Sequence, residues 1–335
     1  IFSAAIKSDN VERAEAKRRG IPELERSEAL GQLTEGYESV VGIAGCHGKT
    51  TITSMLALIC ERGGPDATVH IGGFVDFLNG GVRLGAHDMF ITEACEYVES
   101  FLTLRPTIAL INNIDNDHLD YYGDMEHIVA AFKKFAALLP ENGLLIGNTD
   151  DFRVRALMAE HTGRKLSYGM KDADYTPANI TYDDNGCPGF DIMFKGEKLM
   201  HIQLRIPGEH SVMNAIAAAA VAREIGADDK CIVSALNAFR NTRRRFEYYG
   251  ERNGVKYYHD YGHHPSEIAA TMKAASNVKH NKLFCVFQCN SYTRAKTLFL
   301  NDVTCFNLAD ETLVPDIYPG REKDDGSCLL YTSDA

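Results

Sequence analysis

A surplus of basic residues is the first thing this chain lacks. Against 35 Lys and Arg stand 46 Asp and Glu, a formal net charge of −11. With no cationic excess to displace counterions, the balance argues against a general nucleic-acid or membrane-surface binder. The short basic run Arg243-Arg244-Arg245 reads as a local anion site. No C-x-x-C occurs, and among nine scattered cysteines Cys285 and Cys289 form the only close pair. Odd count and wide spacing fit reduced thiols in a cytosolic protein, so the expected location is cytoplasmic. No apolar run reaches membrane-spanning length, and the N-terminus has no charged-then-apolar signal pattern. Neither a membrane nor a nucleic acid is therefore an expected partner. Also missing are G-x-S-x-G, H-E-x-x-H and any Ser/His/Asp set, which sets aside the common hydrolase chemistries. Internal repeats and low-complexity linkers are absent too. What is present, 335 residues with 45% hydrophobic and 24% charged content, suffices for two or three domains with real cores.

The most telling stretch is Val40-Val41-Gly42-Ile43-Ala44-Gly45-Cys46-His47-Gly48-Lys49-Thr50-Thr51. A short apolar run, read as a buried strand, empties into a glycine-flanked turn. A helical pattern follows, with Ile52, Met55, Leu56, Leu58 and Ile59 on one side, stopped by Gly63-Gly64-Pro65. Strand, glycine loop and helix in that order make a phosphate cradle. Backbone N–H groups approach the phosphate oxygens, Lys49 adds a full charge, and the Thr50 hydroxyl can ligate Mg²⁺. The first glycine of the usual G-x-x-x-x-G-K-T pattern is replaced by Ile43, so the loop is a shorter one. Taken alone, the pattern also fits a glycine-rich turn with a surface lysine.

From about residue 38 the strand–loop–helix order repeats. Met89–Thr92 reads as a strand ending at Glu93, and Thr107–Ile114 as one ending before Asp117-His118. A helix with Ile128, Phe132, Phe135 and Leu139 follows, then strand Leu144–Gly147. Apolar strands alternating with helices predict a parallel sheet covered on both faces, with ligands beyond the strands' carboxyl ends. Between 179 and 206 apolar residues alternate, predicting an antiparallel excursion. An Ala-rich helix, Ser211–Ile225, follows. A second α/β unit then opens with a hairpin at Asn253-Gly254, strand Val255–Asp260 and a helix after Pro265. It continues with strands Lys282–Gln288 and Thr312–Ile317. Ile1–Ile6 reads as a further strand. Both ends look cut, and residues 327–335 continue no earlier pattern.

Glu93, at a strand end facing the loop, suits Mg²⁺, which takes oxygen ligands and shares them with phosphates. His118 could hold a second metal or orient a phosphate. His263-His264 resembles a metal pair, but adjacent residues point apart, which argues against zinc. Arg294, after a strand end, could grip a carboxylate bidentately. For each, an ordinary structural or surface role is the alternative. The chemistry reads as phosphoryl transfer from a nucleotide by positioning and charge neutralisation.

Taken jointly, these segments resemble the Mur ligase family. The carriers are Gly45–Thr51, His70-Ile71-Gly72-Gly73, Glu93-Ala94-Cys95-Glu96 with Ser100-Phe101-Leu102, and Asn116–Asp120. Further on come Pro207–His210 with Asn214-Ala215, Arg244–Glu247, Asp260–Ile268, Phe287-Gln288 with Tyr292-Thr293-Arg294, and Asp316–Pro319 with Arg321-Glu322. They run in family order over residues 1 to about 326. The resemblance implies an α/β fold with a central P-loop-type parallel sheet domain (38–240) carrying the antiparallel excursion. A truncated Rossmann-like domain for the amino acid (241–326) would follow. Residues 1–37 would be the remnant of an N-terminal UDP-binding domain, and 327–335 a non-native tail. The implied substrates and cofactors are ATP, Mg²⁺, UDP-N-acetylmuramate and L-alanine, joined through an acyl phosphate; His47 and the Asp260–Pro265 run favour the L-alanine-adding branch. The family's roles would put Gly45, Cys46, His47, Gly48, Lys49, Thr50 and Thr51 on the phosphates, with Lys49 and His118 as catalytic groups. Thr50, Glu93 and His118 would serve metal; Asn214, Arg245 and Asp260 would reach ATP; Tyr261, His263 and Arg294 would hold L-alanine.

Ser211 replaces a usual Asn, and Cys289-Asn290-Ser291 replaces a Pro-His-(Arg or Thr) run. The carbamylated lysine of some relatives has no clear counterpart, Lys133 and Lys134 being nearest. With most of the UDP-binding domain missing, this 335-residue chain is expected to bind ATP weakly and not to ligate. A folylpolyglutamate synthase, a murein tripeptide ligase or a nucleotide-binding switch are the rival readings.

Overall fold

A computed structural model describes residues 1–240, 244–292, 294–296, 304–320 and 322–323, with the backbone alone at positions 87 and 120. The 327–335 tail and, among the motif residues, Arg243, Thr293 and Arg321 lie outside the described residues. The chain divides into two compact units. The first is Ile1–Ala178, Asp191–His201 and Met213–Leu236; the second is Asn179–Phe190, Ile202–Val212 and Asn237–Ala335.

The first unit opens with α1 (Val11–Arg18) and α2 (Arg26–Thr34). Asn10 caps α1, and Glu25 with Glu28 forms a capping box on α2. The strand expected over Ile1–Ile6 is not formed. Phe2 makes one parallel bridge to Glu25 and lies under the Arg13 guanidinium, 3.7 Å from its ring centroid. An apolar segment becomes a strand only with a partner along its length, and this one is paired at a single residue.

Then come β1 (Ser39–Ala44), α3 (Lys49–Glu61), β2 (Ala67–Val75), β3 (Gly80–Arg83) and β4 (Ala86–Glu93). A 3-10 segment, Tyr97–Thr103, leads to β5 (Ile108–Ile111), α4 (Leu119–Tyr122), α5 (Met125–Ala136), β6 (Leu144–Asn148), α6 (Phe152–Glu160) and β7 (Arg164–Tyr168). After β8 (Tyr175–Tyr182), β9 (Pro188–Phe194) and β10 (Glu197–Gln203) follow α7 (Glu209–Glu224) and α8 (Asp229–Ala238). The sheet order is β10-β9-β8-β7-β6-β5-β1-β4-β2-β3, and the boundary between the units runs through β8, β9 and β10. From β7 to β2 every pairing is parallel, and β3 closes its edge antiparallel to β2. This is the expected α/β architecture.

Helical crossovers cover the sheet, so its central strands read as continuous apolar runs. All of Val40–Ala44 is buried in β1. In α3 the apolar stripe read from sequence understates the burial, because Thr53, Ser54, Ala57 and Cys60 are buried as well. On α5, Phe132 and Phe135 pack with Phe101, whose ring stacks on Phe135 at 4.8 Å. Gly42 permits that approach, since a Cβ there would lie 3.0 Å from the Phe135 ring.

In the second unit β11 (Glu247–Arg252) and β12 (Val255–His259) pair antiparallel around Asn253-Gly254. Both turn residues have positive φ, 53° and 78°, as a type I′ hairpin demands. Helix α9 (Pro265–Ser276) begins with proline after a capping box of His264 and Glu267. Strands β13 (Phe284–Val286) and β14 (Glu311–Leu313) pair in parallel. Both are shorter than the ranges read from sequence, although pairing resumes at the Asn290–Tyr318 bridge.

Candidate active site

Strand β1 ends at Ala44, and the turn Gly45–Gly48 passes the chain to α3. Gly45 and Gly48 take φ of 137° and 86°, a backbone that side chains disfavour. Space decides the matter at Gly48. A Cβ there would lie 2.5 Å from Asn112 Nδ2 and 2.7 Å from Asn214 Oδ1. No side chain caps α3, so its first N–H groups face outward at the positive end of a 13-residue helix dipole.

The loop is held from behind by the segment leaving β5. Asn113 O accepts from Cys46 N (3.3 Å), and Asn113 Oδ1 accepts from His47 N (2.8 Å). Asn112 Nδ2 and Asn113 Nδ2 both donate to His47 O, at 2.9 and 3.1 Å. His47 Nε2 meets Asp115 Oδ2 at 2.9 Å, and Asp115 N donates to Cys46 Sγ at 3.1 Å. The amides of Cys46 and His47 thus serve the loop's own shape, and the helix amides from Lys49 onward are the ones presented to an anion. Burial raises the Cys46 thiol well above its ordinary value, with Glu96 adding to the effect.

Lys49 Nζ sits 2.7 Å from Glu96 Oε2 and also donates to the carbonyls of Gly45 and Cys46. Burial alone would lower the Lys49 pKa, but the adjacent Glu96 carboxylate outweighs it and the ammonium ends above its ordinary value. Glu96 is 2% exposed. The backbone beyond it turns through Val98 and Glu99 at positive φ, 50° and 55°, a costly geometry for a β-branched residue. His118 Nε2 lies 3.7 Å from Glu96 Oε1 and 3.7 Å from Asp117 Oδ2. One ligand atom from each of Glu96, Asp117 and His118 falls within 4.8 Å of the others, a spacing able to enclose a cation. On the other side of the loop Thr50 Oγ1 donates to Glu93 Oε2 at 3.1 Å, and Glu93 Oε1 accepts from Gly72 N at 2.6 Å. A Cβ on Gly72 would lie 2.9 Å from Glu93 Oε2, so a side chain there would push that carboxylate aside.

The structure therefore gathers Lys49, Thr50, Glu93, His118 and Asn214 around one loop, with Asn214 beside Gly48. Lys133 and Lys134 point elsewhere, to surface ion pairs with Glu160 and Glu99. Sequence reading gave Glu96 no role of its own and passed over Asp117, Asn112 and Asn113. The Asn-Asn pair closing an apolar strand was the available signal.

In the second unit Arg245, Asp260, Tyr261 and His263 also come together. Asp260 accepts from Phe246 N (2.7 Å) and Gly262 N (2.6 Å), and Tyr261 N donates to Arg244 O (2.7 Å). Arg245 pairs with Glu267 at 3.2 Å, and its guanidinium lies 5.9 Å from the Tyr261 ring centroid. His263 N donates to Glu267 Oε2 at 3.2 Å. Glu267 is thus a hub that sequence reading missed. Arg294 lies in a helical stretch, and its backbone N–H donates to Ser291 Oγ at 3.3 Å beside the small cluster of Cys289, Ala295 and Ile317. Ser211, in the place of the usual Asn, is buried and donates to Pro207 O at 2.7 Å. No described helix is long and apolar enough to cross a membrane.

Residues 43–222 match the Mur ligase middle domain, and residues 244–315 match the Mur ligase glutamate ligase domain. The chain is 44% identical over 335 residues to a UDP-N-acetylmuramate–L-alanine ligase of Clostridium beijerinckii, covering 100% of this chain and 72% of that one. A Clostridium botulinum protein of the same name is 43% identical over 97% of this chain and 71% of its own. Among solved structures, the UDP-N-acetylmuramate–alanine ligase of Thermotoga maritima superposes with a TM-score of 0.80 at 26% identity, covering 94% of this chain and 70% of that one. A murein peptide ligase of Psychrobacter arcticus gives 0.69 at 25% identity, over 92% of this chain and 70% of that one. The chain belongs to the Mur ligase family.

Proposed function

From that membership we propose that the protein joins L-alanine to UDP-N-acetylmuramate at the expense of ATP, an amide ligation of peptidoglycan precursor synthesis in the cytoplasm. The reading is carried by the Lys49–Thr50 loop among Glu93, Glu96, Asp117 and His118, in a chain 44% identical to a relative named for this reaction. In the reaction a muramate carboxylate oxygen attacks the γ-phosphorus and ADP leaves. The alanine amine then attacks the acyl carbon, phosphate departs, and the nitrogen gives up its proton to solvent.

The chain's contribution is positional. Amides of Lys49, Thr50 and Thr51 receive phosphate oxygens, and the Lys49 ammonium offsets their charge. The oxygen donors of Thr50 and Glu93 fit Mg²⁺, and Glu96, Asp117 and His118 fit a second divalent ion. When bound, such ions neutralise charge on the phosphates. We assign residues 38–240 to nucleotide binding, 241–326 to the amino acid and 1–37 to the UDP-binding part. Arg245 and Asp260 are assigned to the nucleotide, and Tyr261, His263 and Arg294 to the alanine carboxylate.

The test is phosphate release by the enzyme expressed from its complete reading frame, with each substrate withheld in turn. Release requiring ATP, UDP-N-acetylmuramate and L-alanine together is expected. Release with a murein tripeptide or a folate in place of L-alanine and muramate, or with ATP alone, would overturn the reading.

A further inference from the structure

We propose that Tyr168 is a positioning residue for the phosphate loop, acting through Asn112; this rests on the nucleotide reading above. Tyr168 ends β7, with β6 and β5 standing between it and β1. Its ring is fully buried, so its hydroxyl must find a partner inside the protein. That partner is Asn112 Oδ1, at 2.6 Å. Asn112 is itself 6% exposed, and its other amide atom, Nδ2, donates to His47 O at 2.9 Å.

An asparagine amide has one acceptor end and one donor end, and the two look alike in shape. The His47 carbonyl can only accept and so takes the nitrogen, while the Tyr168 hydroxyl donates to the oxygen and anchors the amide from its other end. Rotated by half a turn, the same amide would set Oδ1 against His47 O, oxygen to oxygen. The orientation also matters for Gly48, since Nδ2 sits where a Cβ on that residue would fall, 2.5 Å away. Asn113 holds the peptide on the other side of His47, its Oδ1 accepting from His47 N at 2.8 Å. Tyr168 thus fixes, from across the sheet, the donor that shapes the turn ahead of the Lys49 amide. Burial raises the Tyr168 phenol well above its ordinary value, keeping it a neutral donor.

Tyr168→Phe keeps the ring in the core and removes only the hydroxyl, so it separates positioning from packing. ADP affinity is measured calorimetrically on the full chain for wild type, Tyr168→Phe, Asn112→Ala and the double variant. About tenfold weaker binding by Tyr168→Phe is expected. The double variant should bind no more weakly than Asn112→Ala alone, since both substitutions interrupt one chain of contacts. Amide hydrogen exchange at Cys46 and His47 should quicken in Tyr168→Phe while the β1 amides stay protected. Affinity within about twofold of wild type, fully multiplicative effects, or unchanged exchange at His47 would each overturn the role. The exchange measurement alone decides if Asn112→Ala does not fold. A wild type that fails to bind ADP would instead remove the phosphate-loop reading, and this role with it.

Discussion

Glu96→Gln tests the charge logic of the loop most sharply. The substitution keeps the volume and removes the charge facing Lys49, which stands 2.7 Å away with its side chain 13% exposed. An ammonium is then left inside the protein without its paired carboxylate. Removing one member of a buried pair costs about 3–5 kcal/mol, against about 0.2–1 for an exposed one. Lys49 keeps its bonds to the carbonyls of Gly45 and Cys46, so the lower end, about 3 kcal/mol, is expected at pH 7.

The pH dependence gives an independent sign. In wild type the folded Lys49 pKa is raised above 10.5 by Glu96, so the pair's stabilisation is complete below pH 10.5 and fades as pH rises through the folded value. In the variant, burial dominates and the Lys49 pKa falls below 10.5. The folded variant then sheds its proton before the unfolded chain does, and its deficit shrinks as pH climbs toward 10.5. Urea unfolding at a series of pH values reads both effects. A deficit under about 0.5 kcal/mol at pH 7, or one that widens with pH, would refute the reasoning. Lys49→Met combined with Glu96→Gln should recover much of the loss, because no charge is then left unpaired.

Gly48→Ala should abolish ADP binding and lower the melting temperature, because its Cβ would strike Asn112 and Asn214 at a φ of 86°. Binding within about twofold of wild type by calorimetry would show the loop to be more pliable than the geometry allows. Burial, with a smaller push from Arg26, lowers the pKa of His70, which bonds Thr92 Oγ1 at 3.1 Å. The unfolded chain therefore takes up that proton first as pH drops below 6.5, and stability falls in that window. His70→Asn should flatten the acid limb of the stability profile, and an unaltered limb would remove His70 as its cause.

Legibility in the sequence followed the kind of signal each element carries. β1, the glycine turn and α3 were readable because an apolar run, two glycines and a lysine each constrain the backbone locally. The hairpin of β2 and β3 was not, since Gly72, Gly73, Gly80 and Gly81 erase the side-chain alternation that marks strands. Ile1–Ile6 was over-read for the opposite reason: its apolar content pairs, among the described residues, only through the Phe2–Glu25 bridge. Glu93 ends β4 and Glu96 follows three residues later, and spacing alone does not tell which of the two carboxylates meets Lys49. Tyr168 was invisible, because its importance lies in a contact 56 residues away at Asn112.

Charge balance at the loop leads to a last prediction. Glu93, Glu96, Asp115 and Asp117 surround an α3 N-terminus that offers one ammonium, Lys49, already engaged by Glu96. Two unit charges about 4 Å apart near a protein surface interact by about 4 kcal/mol. A nucleotide polyanion entering among these carboxylates meets repulsion that Lys49 and the helix dipole cannot offset alone. A divalent ion held by Glu96, Asp117 and His118 relieves it twice, by cancelling charge and by competing with Lys49 for Glu96. Cation and nucleotide should therefore bind with positive coupling, and by linkage each should raise the other's affinity by the same factor. Calorimetric titration of ADP with and without Mg²⁺ measures one arm, and titration of Mn²⁺ followed by water-proton relaxation, with and without ADP, measures the other. Tightening of about tenfold or more in both is expected, with the Mn²⁺ arm lost in His118→Ala. ADP affinity indifferent to the cation would mean that these carboxylates do not face the phosphates.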